Sequence, residues 1–434
     1  MLMTKKAVVL GAYGFIGAAC VRALQQEGFS VCGVGRSLST AQKILPDLVW
    51  IIRDIATATV SDWQDIFSEA DIVVNASGAL QDGTRDNLTA IHEMAVVAMC
   101  EALEGTRTKF IQISAAGVSD QAPTEFFRSK ARGDARVMSS RLDWVVLRPV
   151  LVFGAQAYGG TALLRAAAAF PLVGPKIYPD AQVQTIHVDD LAKAVVQVAR
   201  GELGGCFAAE LAEEGRQSFP DLTAKLRAWL GYPAWSTQVA IPGWMLTLSG
   251  RCADALGWLG WRSPLRTNAL LSLESGITGD PAIWKSLGGV SLRTLGESLA
   301  QMPATVQERS FARLYLMLPL AIGCLSLFWL LSGVFGLISF GAAKAVLTGQ
   351  GMSGGFAGSA VLGGSMADLL LGVAVLFRRW TKTACLGMIA VSAGYLAAGT
   401  LLTPHLWADP LGVFVKVLPS MVLALLVTLV LEDR

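Results

Sequence analysis

Two hydrophobic rhythms divide this chain. Up to about Leu147, short apolar runs alternate with stretches of helical periodicity. The runs Ala7–Leu10, Ser30–Val34, Leu48–Ile52, Asp71–Asn75, Lys109–Ile113 and Asp143–Leu147 read as strands, and Phe15–Glu27, Ser61–Ser68, Asp86–Glu104 and Glu125–Ser139 as helices between them. Alternation of this kind predicts right-handed βαβ units and a parallel sheet covered on both faces. From Leu151 to Thr305 the pattern loosens. Helices are expected near Asp189–Arg200 and Pro220–Leu230, and the remainder suits a small substrate-covering region. After Arg313 the rhythm changes to four long apolar runs, Leu314–Phe340, Gly355–Phe377, Thr383–Leu402 and Leu411–Leu431. Each has the roughly 20 residues a helix needs to cross about 30 Å of hydrocarbon. The expected fold is thus α/β, a doubly wound parallel sheet over residues 1–305, followed by an all-α four-helix transmembrane bundle over 306–434.

Composition agrees with that division. Of 434 residues, 53% are hydrophobic and 16% charged, against an average charged share of about 25%. The net charge of +2 gives no electrostatic footprint for nucleic acid. Seven single cysteines without a C-x-x-C pair fit a reducing compartment and no zinc site. His92, His187 and His405 are far apart in sequence, so no histidine-rich metal centre is expected. No signal-peptide pattern precedes the first strand, which points to a cytosolic N-terminal domain. Arg309 and Arg313 precede the first apolar run, and Arg378, Arg379 and Lys382 separate the second and third. By the positive-inside rule both termini then lie in the cytosol, in a cell (inner) membrane protein.

The chemistry begins at Gly11-Ala12-Tyr13-Gly14-Phe15-Ile16-Gly17, between the first strand and the first helix. Glycines there permit a tight turn and close approach of backbone to a pyrophosphate, which the helix N-terminus then binds. Gly11, Tyr13, Gly14, Phe15, Ile16 and Gly17 are therefore candidate cofactor contacts. After the second strand comes Gly35-Arg36, where an NAD enzyme would carry an acid for the ribose hydroxyls. A cation beside a glycine suits a 2′-phosphate, so NADP(H) is expected in preference to NAD(H). Asp54 is placed either on the adenine amine or in a turn. Ala76, Ser77 and Gly78 end the fourth strand and leave room for cofactor.

Together with Asn75–Ala79, Ile113-Ser114-Ala115, Lys130, Leu147-Arg148-Pro149 and His187-Val188-Asp189-Asp190, the glycine loop resembles the extended short-chain dehydrogenase/reductases over about the first 300 residues. The resemblance implies an active site of Ser114 and Lys130, with Lys130 on the ribose and Pro149 among the cofactor contacts. It also implies a tyrosine acid four residues before the lysine. That position is Phe126, which can neither give nor take a proton. His92 and Tyr158 are the substitutes to weigh, each more often structural. Asp189 and Asp190 are expected to cap the helix that follows, with His187 packed beside them.

The last stretch, with Asp368, Tyr395, Pro404–Pro410, Lys416 and Pro419, resembles the DoxX-like membrane domain. Asp368 should face the bundle interior with a partner, and its depth lets it reach Tyr395. It is then either a hydrogen-bonded packing residue or part of proton or quinone chemistry. Lys416 is expected to snorkel outward and Trp407 to anchor at the outer interface. Pro242–Trp261, with Trp244, Trp258 and Trp261, is either a lid or a membrane-surface helix. Two functions remain open. One is a membrane-anchored NADP(H)-dependent oxidoreductase acting on a small apolar carbonyl or quinone-type substrate. The other is a non-catalytic NADP(H)-binding sensor or a subunit of a membrane complex, as the reductase-like subunit of respiratory complex I implies.

Overall fold

A computed structural model describes residues 4–83, 86–261, 263, 265–408, 410, 412 and 414–431. Contacts divide the chain into one unit of Met1–Asp254 with Ser263–Ala312 and a second of Ala255–Arg262 with Arg313–Arg434.

The first unit is built on β1 (Lys6–Leu10), α1 (Phe15–Gln26), β2 (Ser30–Gly35), α2 (Leu38–Ile44), β3 (Val49–Ile52), α3 (Val60–Phe67) and β4 (Ile72–Asn75). A π turn, Ala90–Met94, runs into α4 (Ala95–Leu103), followed by β5 (Lys109–Ile113), α5 (Glu125–Ser139) and β6 (Asp143–Pro149). Then come β7 (Leu151–Phe153), α6 (Gly159–Ala168), β8 (Gly174–Lys176), β9 (Gln182–Val183), β10 (Thr185–His187), α7 (Val188–Arg200) and β11 (Phe207–Leu211). The main sheet has seven parallel strands in the order β11-β6-β5-β4-β1-β2-β3. The expected strands are all present. The seventh, β11, was not anticipated, because Phe207–Leu211 includes Glu210 and lies in a stretch without βαβ rhythm.

Residues of β1 and β4 are buried on both sides, as the uninterrupted apolar runs require. One core layer joins Val9, Leu24, Ile111, Val145, Leu191 and Val195; the other joins Leu10, Trp63, Val96, Met99, Phe110 and Val146. Strand order reverses at β1, since β2 and β4 flank it, so the crevice for a ligand opens at the carboxyl ends of β1 and β4. Local signals fix the helices around it. Thr59 and Asp62 form a capping box on α3, and Gly201, at φ 79°, ends α7 in the left-handed region.

At the start of α7 the capping expectation is corrected. His187 Nδ1, not an aspartate, accepts the Asp189 N–H at 3.2 Å, while buried Asp190 pairs with Arg293 at 2.7 Å. The irregular region continues through β12 (Gln217–Ser218), α8 (Phe219–Trp229), β13 (Gln238–Ala240), α9 (Gly243–Trp258), α10 (Thr267–Glu274), α11 (Ala282–Ser286) and α12 (Leu295–Gln301). The tryptophan-rich segment thus forms α9, with Trp244 and Trp258 68% and 82% exposed.

The apolar helices are α13 (Val306–Ile338), α14 (Phe340–Gly349), α15 (Gly354–Ala374), α16 (Thr381–Leu402) and α17 (Val417–Val430). Three of these, α13, α15 and α16, are long and apolar enough to cross a membrane. Here the expectation of four full spans changes. Leu411, where the fourth run was expected to begin, lies outside the described residues. The helix there, α17, has 14 residues, about 21 Å of rise against a core of about 30 Å. The connection between the first two apolar runs holds α14.

Small residues bring α13 and α15 together: a Cβ on Gly372 would sit 2.9 Å from the Leu330 side chain, and Ser326 Oγ donates to Gly372 O at 2.8 Å. Asp368 lies in this seam, buried, accepting from Ser332 Oγ at 2.6 Å and from Tyr395 Oη at 3.0 Å. Within the same unit, Trp261 Nε1 donates to Leu376 O at 2.6 Å and the Arg378 guanidinium lies over the Trp261 ring.

Candidate functional site

The glycine loop takes the shape its sequence demands. Gly11 sits at φ +68°, where only glycine is unstrained, and any Cβ there would lie 2.9 Å from Ser77 Cα. Gly14 N donates to Gly11 O at 2.8 Å and Gly14 becomes the N-cap of α1, with no side-chain cap. A Cβ on Gly17 would collide with the Gly11 carbonyl. Gly11 thus lies against the backbone of Ala76 and Ser77, at the point where strand order reverses, and the first N–H groups of α1, from Phe15, Ile16 and Gly17, follow it without a side-chain cap.

The Ala76–Gly78 segment is held from beneath. Asn75 Oδ1 accepts from the Ser77 N–H and hydroxyl, while Asn75 Nδ2 donates to Gln112 Oε1 at 2.9 Å. On its far side Ala79 N donates to His92 Nε2 at 3.2 Å, and His92 Nδ1 meets Ser129 Oγ at 2.9 Å. Both ring nitrogens are thus engaged. Burial and the neighbouring Lys130 charge drive the His92 pKa down to about 2. This histidine is a neutral strut, tying the segment to α5 through Ser129.

At the end of β2 the geometry differs from the simple picture of space beside a glycine. The Tyr13 ring occupies the ground next to Gly35, leaving no room for a Cβ, and its hydroxyl accepts the Arg36 N–H at 3.2 Å. The Arg36 guanidinium is paired with Asp86 at 2.7 Å. Asp54 Oδ1 accepts from Ala56 N at 3.0 Å, closing a turn after β3. Tyr158, 53% exposed, stacks on Phe15 with ring centroids 5.8 Å apart.

The residues matched to the active site lie on β5, α5 and β6. Lys130 is buried, and its ammonium donates to Ile113 O at 3.1 Å. Burial lowers its pKa to about 8, opposed by the Asp134 charge. A Cβ on Gly78 would lie 3.8 Å from Lys130 Nζ, so the ammonium is at the edge of the crevice. Ser114 donates its hydroxyl to Asp134 Oδ2 at 2.8 Å, and Arg148 Nε reaches the same oxygen at 2.9 Å. Asp134 is fully buried, and its other oxygen has no partner among the described residues. Sequence reasoning missed Asp134, although its position one helical turn after Lys130 puts both on one face of α5. It missed Asp86 as well, which lies 50 residues from Arg36 with no local pattern joining them. Phe126 packs edge-on against His92 and Phe127, beneath the Lys130 ammonium at 5.8 Å. Pro149 ends β6 in the sheet, its carbonyl accepting from Ala116 N at 2.9 Å.

Comparison with known proteins agrees with this geometry. Residues 11–202 match the NAD(P)H-binding family and residues 326–425 the DoxX-like family. The chain therefore carries an NAD(P)-binding, oxidoreductase-like Rossmann domain followed by a DoxX-like domain with apolar helices. It is 23% identical over 216 residues to ceramide reductase of Caulobacter vibrioides, covering 49% of this chain and 65% of that protein. It is 25% identical over 198 residues to the mitochondrial NADH dehydrogenase (ubiquinone) 1 alpha subcomplex subunit 9 of Dictyostelium discoideum, covering 44% and 54%. The chain thus spans less than two thirds of either relative. Among solved structures, it resembles the Bordetella bronchiseptica enzyme WbmH with NAD+ at 18% identity and TM-score 0.52, covering 69% of this chain and 97% of that one. It also resembles dTDP-4-dehydrorhamnose reductase of Bacillus anthracis with NADP at 14% identity and TM-score 0.51, covering 70% and 98%. At these identities the likeness is one of fold.

Proposed function

We propose that this protein is a membrane-anchored NADP(H)-dependent reductase whose substrate is an apolar carbonyl compound of lipid character. The observation that carries the reading is the glycine loop: Gly11, Gly14 and Gly17 form a cradle that any Cβ would spoil, with Gly11 against Ala76 and Ser77 and α1 uncapped. Such a cradle fits the pyrophosphate of a dinucleotide through the N–H groups of Phe15, Ile16 and Gly17. Arg36 supports the phosphorylated cofactor, with Tyr13 and Asp54 on the adenosine side. Lys130 then holds the nicotinamide ribose, and Pro149 lies against the nicotinamide. When bound, the reduced nucleotide supplies a hydride. The protein's share is to orient the carbonyl beside Ser114 and Lys130 and to keep water out.

The substrate class rests on two supports. The DoxX-like helices put the chain at a bilayer, where apolar substrates concentrate, and one relative is a ceramide reductase. We place the nucleotide-binding unit on the cytosolic side of the cell membrane, from Arg309, Arg313, Arg378, Arg379 and Lys382. Phe126 favours a second reading, a non-catalytic NADP(H)-binding subunit of a membrane complex, the kind of assembly that the Dictyostelium relative's name denotes. Purified protein separates the two. NADPH oxidation that depends on a long-chain ketone or a quinone supports the enzyme; stoichiometric NADPH binding with no acceptor-dependent oxidation supports the subunit.

A further inference from the structure

We infer that Lys130 is itself the proton donor to the substrate carbonyl, taking over the step for which Phe126 has no chemistry. The inference rests on the reductase reading above and identifies the acid within it.

The geometry leaves few alternatives around the crevice. Ser114 has one hydroxyl proton, and it goes to Asp134 at 2.8 Å. His92 accepts from Ala79 through Nε2 and is tied to Ser129 through Nδ1, so no proton of its ring faces the crevice. Tyr158 stacks its ring on Phe15 beside the glycine loop and is 53% exposed, whereas Lys130 is buried next to Gly78. Lys130 differs. Among the described residues its ammonium makes a single hydrogen bond, to Ile113 O, so two of its three N–H groups remain for other partners. It lies above the Phe126 ring and next to Gly78, whose missing side chain keeps the approach open.

The charges around it keep the lysine capable of both states. The π turn contributes His92, which stays neutral, and Glu93, which is paired with Arg132 at 2.6 Å. The α5 helix contributes Asp134, and β6 contributes Arg148, which is paired to Asp134 at 2.9 Å. The β5 strand offers the Ile113 carbonyl and Ser114, and Ala76–Gly78 has no titratable group. Burial brings the lysine pKa to about 8, within reach of working pH, where a general acid is most effective.

The step balances. The reduced nucleotide, when bound, would supply the hydride for the new C–H bond at the carbonyl carbon, its own C–H bond breaking to leave the oxidised form, while the C=O π electrons pass to oxygen. One Lys130 N–H proton forms the new O–H bond, leaving a neutral amine and an alcohol. The amine regains its proton from water after the products leave.

The test uses the full-length protein with NADPH and a long-chain ketone. Wild type and Lys130→Arg are compared by NADPH binding, by kcat against pH, and by NMR titration of the Lys130 ε-carbon in wild type without substrate. The inference expects a Lys130 midpoint near 8 and a kcat that falls above that pH. It also expects Lys130→Arg, whose guanidinium stays protonated, to bind NADPH within about tenfold of wild type and to turn over at least a hundredfold more slowly. A Lys130 midpoint at the ordinary value near 10.4, or turnover by Lys130→Arg within threefold of wild type, overturns the inference and leaves the reductase reading standing. NADPH bound by wild type without oxidation on any ketone overturns that reading and the inference with it.

Discussion

Arg36 Nη1 stands 2.7 Å from Asp86 Oδ1 at the carboxyl end of β2, a side-chain pairing across 50 residues of sequence. The pair presents a cation already held in place and a carboxylate that a 2′-phosphate would have to displace or repel. Arg36→Ala is therefore expected to weaken NADP(H) tenfold or more, since hydrogen bonds to charged groups contribute about 1.5–3 kcal/mol. NAD(H) should change by no more than about twofold. Asp86→Asn should tighten NADP(H) several-fold. Calorimetric titration with both nucleotides checks this, and equal losses for the two would remove Arg36 from the phosphate role.

Gly17 faces the Gly11 carbonyl too closely for any side chain. Gly17→Ala should cost about 1–3 kcal/mol of stability, the range for overpacking a tight site, and raise the NADPH dissociation constant at least tenfold. Thermal unfolding with and without nucleotide measures both. A variant with unchanged nucleotide-induced stabilisation would place the phosphates elsewhere.

His92 makes a pH prediction. Its pKa is near 6.5 in the unfolded chain and about 2 in the fold, so below 6.5 the unfolded state binds the extra proton. Its contribution is complete above pH 6.5 and is lost progressively as pH falls toward 2. Wild type should lose up to about 1.4 kcal/mol per pH unit more than His92→Gln below pH 6. Unfolding free energies at pH 7, 6 and 5 give the slopes; identical slopes would mean that the histidine charges within the fold.

In the membrane unit, Tyr395→Phe removes one of the two hydrogen bonds to Asp368 and should destabilise the solubilised protein by about 1–3 kcal/mol. Asp368→Asn keeps one oxygen to accept from one of the two hydroxyls and presents an NH2 that can donate to the other, and should cost less. Turnover lost in Asp368→Asn with stability intact would instead assign the carboxyl to chemistry.

Much of this was legible in the chain. The short apolar runs between stretches of period 3.6 located six of the seven main strands, and the glycine spacing located the cradle, because both are local consequences of backbone geometry. Asp368 and Tyr395 could be paired in advance because helix rise converts sequence position into depth. What escaped were relations set by tertiary packing. Tyr13 filling the ground beside Gly35, Asp86 reaching Arg36, and Asp134 taking the Ser114 proton each join segments with no shared period. The helix α2 was missed because seven residues give too little periodicity. At the other end, the apolar run at 411–431 was longer than the helix it contains.

Acceptor-dependent NADPH oxidation by the purified full-length protein in lipid tests the central claim most directly. A long-chain ketone should be consumed mole for mole with NADPH, and Arg36→Ala should act far less well with NADPH than wild type. Tight NADPH binding with no loss of NADPH absorbance on ketones or quinones would contradict the account and leave a nucleotide-holding subunit in its place.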